Sequence, residues 1–371
     1  MSGAWVHNLS PFLIEFTEGI GVRWYGLAYL LGFGLSYYFV DLMARRGTIQ
    51  LTREQVADFI TYGAIGTLAG GRIGYALFYS PDLFITFHKE FPFWALLEVQ
   101  KGGMASHGGI AGIAIACILF ARKHKLVASH LIDILCFGGP LAIFFGRIAN
   151  FINGELYGRE CKPDLPIAVK FPTEIYMWGS SELDKLKALA PAVQSLGEIT
   201  TRAGEKISAT SDLWVSWVSN YNYKTAHYID VFKDALVKAT EKHNAEVLAA
   251  LAPVLTPRYP SQLIQAVLEG LLVFIVLAWI WRKPRKPGVI TAMFGICYTI
   301  ARIIGEQYRL PDHGIGFQAL GLTRGQWLSV AMLIMILIFL FFVLRRRTER
   351  MGGWNKVKTG LHDCGQGDLS I

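Results

Sequence analysis

The sequence contains 371 residues, of which 53% are hydrophobic and only 17% are charged, and its formal net charge is +8. Soluble globular domains usually carry about 25% charged residues, and the long apolar runs of this chain exclude an ordinary soluble fold. The positive charge does not indicate nucleic-acid binding, because the basic residues are spread over several loops instead of forming one patch.

Several apolar runs are long enough to cross a bilayer. Since a span needs roughly 20 apolar residues, they predict about seven transmembrane helices, at residues 24–44, 56–79, 104–121, 131–150, 261–281, 288–305 and 325–344. The first two runs are rich in glycine, and small residues let helices pack closely in lipid. A re-entrant segment near residue 104 is an alternative to the third span. The sequence therefore predicts an all-α polytopic membrane protein.

Clusters of basic residues follow the odd-numbered spans, at residues 45–53, 122–125, 282–286 and 345–350. Short loops rich in Lys and Arg stay in the cytoplasm. The pattern predicts an outer N-terminus and a cytoplasmic tail over residues 346–371. The first residues do not have the basic and apolar regions of a removable signal peptide.

A long polar insertion separates the fourth and fifth spans. It divides the chain into residues 1–158 with the first four spans, the insertion at 159–259, and residues 260–345 with the last three. The parity of the spans predicts that the insertion lies on the outer face. Its helical spacing is clearest at Phe232, Ala235, Leu236 and Ala239. A packed head domain and a flexible arm are both compatible with this composition.

Ionised side chains in the middle of a membrane helix cost about 2.5–3.5 kcal/mol, so each needs a partner, a polar cavity or a function. His107 lies between glycine pairs in GGMASHGG. A histidine can accept a proton near physiological pH, which makes His107 a candidate general base. The alternative is a hydrogen-bonded histidine that only joins helices.

The end of the fourth span, FFGRIANFINGELYGR, is unusually polar. Arg147 and Asn150 are spaced to share one helix face, and a guanidinium group suits phosphate binding. Asn153 and Glu155 add hydrogen-bonding groups beside Arg147. The alternative is an Arg–Glu pair with a purely structural role.

The sixth span carries a polar stripe. Tyr298, Arg302, Glu306 and Arg309 recur at helical spacing. The alternative is that Arg302 and Glu306 only neutralise each other and that Arg309 is an interfacial anchor.

Two further residues extend this pattern. Tyr25, at the start of the first span, and Arg72, within the second, are placed to border a polar cavity. Several inward-facing arginines indicate an anionic ligand such as a phosphate.

The same polar stretch carries a family signature, G-R-x-G/A-N-F-x-N-x-E-x-x-G. Its fixed places are filled by Gly146, Arg147, Ala149, Asn150, Phe151, Asn153, Glu155 and Gly158. The blocks RWYG, GGRIGY, GGMASHGG, YPSQL and ARIIGEQYRLPD occur around it in the expected order. The sequence thereby resembles the bacterial prolipoprotein diacylglyceryl transferases.

The resemblance implies transfer of an sn-1,2-diacylglyceryl group from phosphatidylglycerol to the lipobox cysteine of a prolipoprotein, with formation of a thioether and release of glycerol 1-phosphate. The partners are then phosphatidylglycerol, the signal-peptide segment of the acceptor and membrane lipid, with no nucleic acid. The implied location is the bacterial inner membrane, with the active site toward the outer face.

The resemblance also assigns residues. His107 matches the essential histidine and becomes the candidate base. Arg147 and Arg302 are the other predicted catalytic residues, and they would hold the phosphate. The predicted substrate-binding residues are Tyr25, Arg72, Arg147, Asn150, Asn153, Glu155, Gly158, Tyr298 and Glu306. The chain departs from the usual block H-P-S-Q-L-Y-E at three places, where it has Tyr259, Ile264 and Gln265.

No cofactor or metal is expected. The 5 cysteines are far apart and form no zinc-type pair, and the nucleophile in the implied reaction belongs to the acceptor. A transporter or flippase for an anionic lipid or metabolite is the alternative function. Such proteins are often built from inverted repeats, and this sequence shows no internal symmetry.

Overall fold

The structure is a computed structural model that describes residues 4–17, 19–89, 91–98, 102–201, 204–311 and 318–355. In the first half of the chain the helices are α1 (Trp24–Arg45), α2 (Arg53–Phe78), α3 (Ser106–His124) and α4 (Ala128–Ile152). The insertion contributes α5 (Leu183–Ala188), α6 (Ala190–Gln194), α7 (Ser211–Ser219), α8 (Tyr223–Glu241) and α9 (Ala245–Leu251). The remaining helices are α10 (Ser261–Gln265), α11 (Val273–Ile280), α12 (Val289–Gly305) and α13 (Arg324–Arg345).

A π-helical segment, Ala266–Leu272, joins α10 to α11, so that Ser261–Ile280 is one continuous helix. The strands are short. β1 (Trp5–Val6), β4 (Val169–Lys170) and β7 (Pro257–Arg258) form one sheet in the order β1-β4-β7. Two antiparallel pairs join β2 (Phe12–Thr17) to β3 (Ile20–Arg23) and β5 (Glu198–Thr200) to β6 (Lys206–Ser208).

Each of the predicted spans coincides with a helix. Among the described residues, 4 helices are long and apolar enough to cross a membrane, namely Trp24–Arg45, Ala128–Ile152, Ser261–Ile280 and Arg324–Arg345. Val289–Gly305 is a shorter apolar helix. The chain is therefore a helical, multi-pass membrane protein, as predicted. The total of seven spans and the orientation of the termini stay predictions, since α2 and α3 are less apolar.

The chain divides into two compact units. The first unit comprises residues 1–33, 140–273 and 297–333, and the second comprises 34–139, 274–296 and 334–371. Several helices therefore contribute to both units.

In the second unit, α2 packs against α3 through facing glycines. A Cβ atom added to Gly70 would lie 2.4 Å from the carbonyl oxygen of Gly108, and one added to Gly112 would lie 2.0 Å from that of Gly66. Any larger residue would force these backbones apart. The glycine-rich second run is thus a packed helix, as its composition predicted.

In the first unit, the insertion folds around its own hydrophobic core. Trp214, Phe232 and Leu236 are at most 1% exposed and pack together with apolar residues from α5, α6 and α9. The helical spacing read from the sequence lies on α8, where Asn222 caps the first turn by accepting from the backbone N–H groups of Lys224 and Thr225. Of the two alternatives for this segment, the structure has the packed domain.

Candidate active site

A buried carboxylate, Glu269, is the centre of the polar cluster in the first unit. Its side chain is 0% exposed, and it pairs with two arginines from different helices. Its Oε2 lies 2.9 Å from a guanidinium nitrogen of Arg147 on α4, and its Oε1 lies 3.3 Å from one of Arg302 on α12. One carboxylate therefore forms ion pairs with both arginines that were predicted to be catalytic.

Two glycines allow the helix that carries Glu269 to lie close to α4 and α12, which carry the two arginines. Glu269 lies within the π-helical segment, a rare geometry that often marks functional sites. A Cβ atom on the next residue, Gly270, would lie 2.6 Å from Cβ of Phe144 on α4. On the opposite side, a Cβ on Gly305 would lie 3.4 Å from Oε1 of Glu269. Glycine at both positions leaves room for the carboxylate between α4 and α12.

A second acid, Glu306, extends the cluster. Its Oε2 lies 3.1 Å from Arg302 and 3.8 Å from Arg309, and its Oε1 accepts a hydrogen bond from the hydroxyl of Thr323 at 3.1 Å. The predicted stripe on the sixth span thus converges on one cluster, although α12 ends at Gly305, so that Glu306 and Arg309 follow the helix. Tyr298, also on α12, has Glu269 and Arg302 as electrostatic neighbours.

The charges of this cluster favour an anion. Three guanidinium groups (Arg147, Arg302 and Arg309) pair with the carboxylates of Glu269 and Glu306. The carboxylates are 0% and 4% exposed, whereas the arginine side chains are 17%, 14% and 15% exposed. The arginines therefore keep a surface for a ligand while the acids hold them in place. Fixed guanidinium groups bind phosphate with charge-assisted hydrogen bonds.

Tyr25, Asn150 and Glu155 form a second polar group. The Tyr25 hydroxyl donates to Oε1 of Glu155, and the Asn150 amide donates both to the Tyr25 hydroxyl and, at 2.8 Å, to the same Oε1. The sequence predicted Asn150 and Glu155 beside Arg147. In the structure, hydrogen bonds join both side chains to Tyr25, which has Arg147 as an electrostatic neighbour. The chain turns at Gly154, whose φ is +62°, just before Glu155.

The YPSQL block holds the loop that carries Glu155. The Gln262 amide donates to the carbonyl of Glu155 at 2.6 Å, and the Ser261 hydroxyl donates to the carbonyl of Leu156 at 2.9 Å. Both donors are fully buried, so α10 fixes the backbone of this loop.

The surroundings of Asn153 and Gly158 differ from those of the other predicted site residues. Oδ1 of Asn153 is buried without a hydrogen-bond partner within the described part of the chain, and it borders a cavity of about 10 Å³ together with His7. Gly158 lies where backbones cross, since a Cβ atom there would be 2.4 Å from the carbonyl oxygen of Tyr259 and 2.6 Å from that of Tyr308. The contacts of Gly158 are thus to the protein's own backbone.

Two predicted site residues, Arg72 and His107, lie in the second unit. The guanidinium group of Arg72 donates to backbone carbonyls of Leu96 and Ala95 at 2.8 Å each and of Gly102 at 2.6 Å. Arg72 thereby holds the segment that leads into α3. His107 is the second residue of α3, and its side chain is exposed.

Glu269 is a candidate site residue that the sequence did not single out. Its signal was an acidic residue inside the apolar run of the fifth predicted span, and ionisable residues in such spans are by default functional candidates. Gln265, where the resembled block usually has Glu, stands one turn earlier. Elsewhere in the described ranges, no group of three or more His, Cys, Asp and Glu side chains is arranged to hold a metal ion.

The fold and this cluster define a helical membrane protein whose spans enclose paired arginines and acids. The chain belongs to the prolipoprotein diacylglyceryl transferase family, whose sequence profile matches residues 11–342, and it is therefore a transferase. The family expected from the signature is confirmed.

Individual relatives match over nearly their whole length. The phosphatidylglycerol–prolipoprotein diacylglyceryl transferase of Bdellovibrio bacteriovorus is 46% identical over 95% of this chain and 97% of its own. The enzymes of the same name from Rhodospirillum centenum and Neisseria gonorrhoeae are 34% and 32% identical, over 93% and 92% of this chain and 94% and 98% of their own.

Proposed function

We propose that this protein transfers the sn-1,2-diacylglyceryl group of phosphatidylglycerol to the lipobox cysteine of prolipoproteins. The observation that carries the proposal is the Arg147–Glu269–Arg302 cluster, two guanidinium groups held by one buried acid among apolar helices. The names of the relatives supply the substrate class.

The reaction is a displacement at carbon. The acceptor thiolate attacks C3 of the diacylglyceryl group, a carbon–sulfur bond forms, and the bond from C3 to the phosphate oxygen breaks. The electron pair leaves with that oxygen, so that glycerol 1-phosphate is released. A free thiol has a pKa near 8.5, so it needs a base to become a thiolate at neutral pH. His107 is the proposed base, a role worth typically 10²–10⁴-fold.

The arginines stabilise the leaving group. Negative charge grows on the phosphate as the carbon–oxygen bond breaks, and fixed cations placed there lower the barrier. We assign this to Arg147 and Arg302, with Glu269 and Glu306 holding the guanidinium groups in position. No rearrangement of the cations is then needed during the reaction.

The remaining predicted residues keep supporting roles. Tyr25, Asn150 and Glu155 share hydrogen bonds, and we propose that this group binds the headgroup glycerol of phosphatidylglycerol. Tyr298 would border the same headgroup. Gly158 and Arg72, whose contacts are with the protein's own backbone, would shape the surroundings of the substrate. Asn153, whose Oδ1 has no hydrogen-bond partner among the described residues, would border the substrate.

The proposal includes a location. The protein would lie in the bacterial inner membrane with seven spans, the insertion on the outer face and the C-terminal tail in the cytoplasm. Cysteine labelling tests this, because Asn220→Cys should react with an impermeant reagent from outside and Lys283→Cys should not. Labelling of both from the same side contradicts the topology.

The decisive assay combines the purified protein with phosphatidylglycerol and a lipobox peptide. A gain of one diacylglyceryl mass on the peptide cysteine, with an equal amount of glycerol phosphate, supports a transferase. Movement of the lipid across vesicles without this mass gain supports the flippase alternative and contradicts the proposal.

Two variants test the assigned residues. His107→Ala and Arg147→Ala should each abolish thioether formation while the protein still inserts in membranes. His243→Ala and Arg53→Ala are matched controls on residues outside the site. Full activity in either site variant removes that residue from the mechanism.

A further inference from the structure

A cleft of about 440 Å³ lies beside the polar cluster in the first unit. Three segments line it, namely residues 153–157 after α4, Thr173, Tyr176 and Met177 of the insertion, and residues 309–311 after α12. This volume falls within the range of small-ligand pockets, roughly 300–1,000 Å³.

The cleft shares two residues with the proposed active site. Glu155 borders the cleft and accepts hydrogen bonds from Tyr25 and Asn150. Arg309 borders it and lies 3.8 Å from Glu306, the partner of Arg302. A molecule in the cleft would thus reach the groups proposed to act on phosphatidylglycerol.

The exposed walls of the cleft are mainly apolar. Leu156, Tyr176 and Met177 are 43%, 47% and 42% exposed, although the insertion around them has a well-packed core. Apolar side chains gathered at the surface of a cleft are typical of binding sites. Apolar walls that include two charged residues, Glu155 and Arg309, suit a ligand that is mostly apolar and has a polar backbone.

The position of the cleft distinguishes a peptide from a lipid. Its walls follow the ends of two apolar helices, α4 and α12, and include the insertion, so the cleft lies beyond the spans. Acyl chains stay at the depth of the apolar helices, whereas a signal peptide continues from its apolar region into a short segment of small residues at the membrane surface.

We propose that this cleft binds the acceptor peptide through the apolar side chains next to its cysteine, and that Leu156, Tyr176 and Met177 determine which residues are accepted there. The inference rests on the proposed transferase function and adds the site of its second substrate. Arg309 would hold the peptide backbone near Glu155, which is assigned to the lipid headgroup.

Filling the cleft tests the assignment. Met177→Trp should raise the KM for a lipobox peptide at least ~10-fold, a typical penalty for misfit in an apolar pocket, and leave the KM for phosphatidylglycerol unchanged. Tyr223→Trp is the matched control, since Tyr223 is 82% exposed on the insertion and does not line the cleft. An unchanged peptide KM, or a higher KM for the lipid instead, overturns the proposal.

A second measurement does not depend on the activity of a variant. A photoreactive benzoylphenylalanine at position 177 should crosslink to the lipobox peptide, and the same group at position 223 should not. Equal crosslinking at both positions, or none at 177, contradicts the assignment. If the unmodified protein does not transfer diacylglyceryl groups to the peptide at all, the proposed function itself fails. If transfer occurs without these effects, only the cleft assignment fails.

Discussion

Replacing Glu269 with glutamine should reduce turnover more than substrate binding. Glutamine has nearly the same shape but no charge, so Arg147 and Arg302 lose the acid that now lies 2.9 Å and 3.3 Å from them. The two guanidinium groups would repel each other and move apart. A displacement of about 1 Å in a catalytic group can cost ~10²-fold in rate, which corresponds to ~2.7 kcal/mol.

The same change should destabilise the protein. Breaking a buried ion pair by removing one partner typically costs about 3–5 kcal/mol. We expect the lower end, ~3 kcal/mol, because the arginine side chains are 17% and 14% exposed and water can solvate part of their charge. Glu174→Gln is a matched control for this cost. Glu174 is also fully buried and pairs with Arg258 at 2.6 Å, outside the arginine cluster.

The assay is steady-state transfer to a lipobox peptide with varied phosphatidylglycerol, combined with thermal unfolding in detergent. We expect kcat of Glu269→Gln to fall ~100-fold, with no rise in the KM for phosphatidylglycerol, since the uncompensated arginines still attract an anion. Both variants should unfold at lower temperature, and Glu174→Gln should keep its kcat. An unchanged kcat in Glu269→Gln, or an equal loss in both variants, would refute the view that Glu269 positions the arginines.

Three further predictions concern stability. Burial lowers the pKa of His7 from 6.5 to about 4, so the unfolded chain takes up a proton below pH 6.5 while the folded protein does not. The free energy of unfolding should therefore fall by up to ~3 kcal/mol as the pH drops from 6.5 to 4. In His7→Phe this part of the loss should be absent when the melting temperatures at pH 7.5 and pH 5 are compared. Gly270→Ala should lower the melting temperature and the rate of transfer, because the added Cβ would lie 2.6 Å from Phe144. Gly34→Ala is the control and should change neither, because a Cβ at Gly34 meets nothing within 4 Å. Equal effects of the two variants would contradict the packing argument. Arg72→Lys should lower the melting temperature, since an ammonium group cannot reproduce the backbone hydrogen bonds at 2.6–2.8 Å. A variant as stable as the parent would contradict this structural role of Arg72.

The helices could be predicted well from the sequence because long apolar runs are a local signal. The run at 325–344 became α13 (Arg324–Arg345), and the run at 288–305 became α12 (Val289–Gly305). Phe232 and Leu236, whose spacing predicted a helix, lie on α8. Local patterns, however, do not show whether the more polar helices α2 and α3 cross the membrane.

The contacts of the candidate site could be predicted only in part. Arg302 and Glu306 are four residues apart and pair as helical spacing indicates. Arg147 and Glu269 are separated by 122 residues, and their contact depends on a π-helical segment that no periodicity in the sequence indicates. The partner of Glu155 was missed for a similar reason, since the loop turns it toward Tyr25, 130 residues away.

The π-helical segment makes this part of the chain sensitive to length. Removing a single residue from Ala266–Leu272 would allow ordinary α-helical hydrogen bonding. Because a π-helical turn holds more residues than an α-helical turn, the flanking helices would largely keep their phase, but the residues inside the segment, Glu269 among them, would point in a different direction. Ser261 and Gln262 would then no longer hold their loop while Glu269 faces the arginines. A deletion here would therefore separate the loop contacts of Ser261 and Gln262 from the pairing of Glu269 with the arginines.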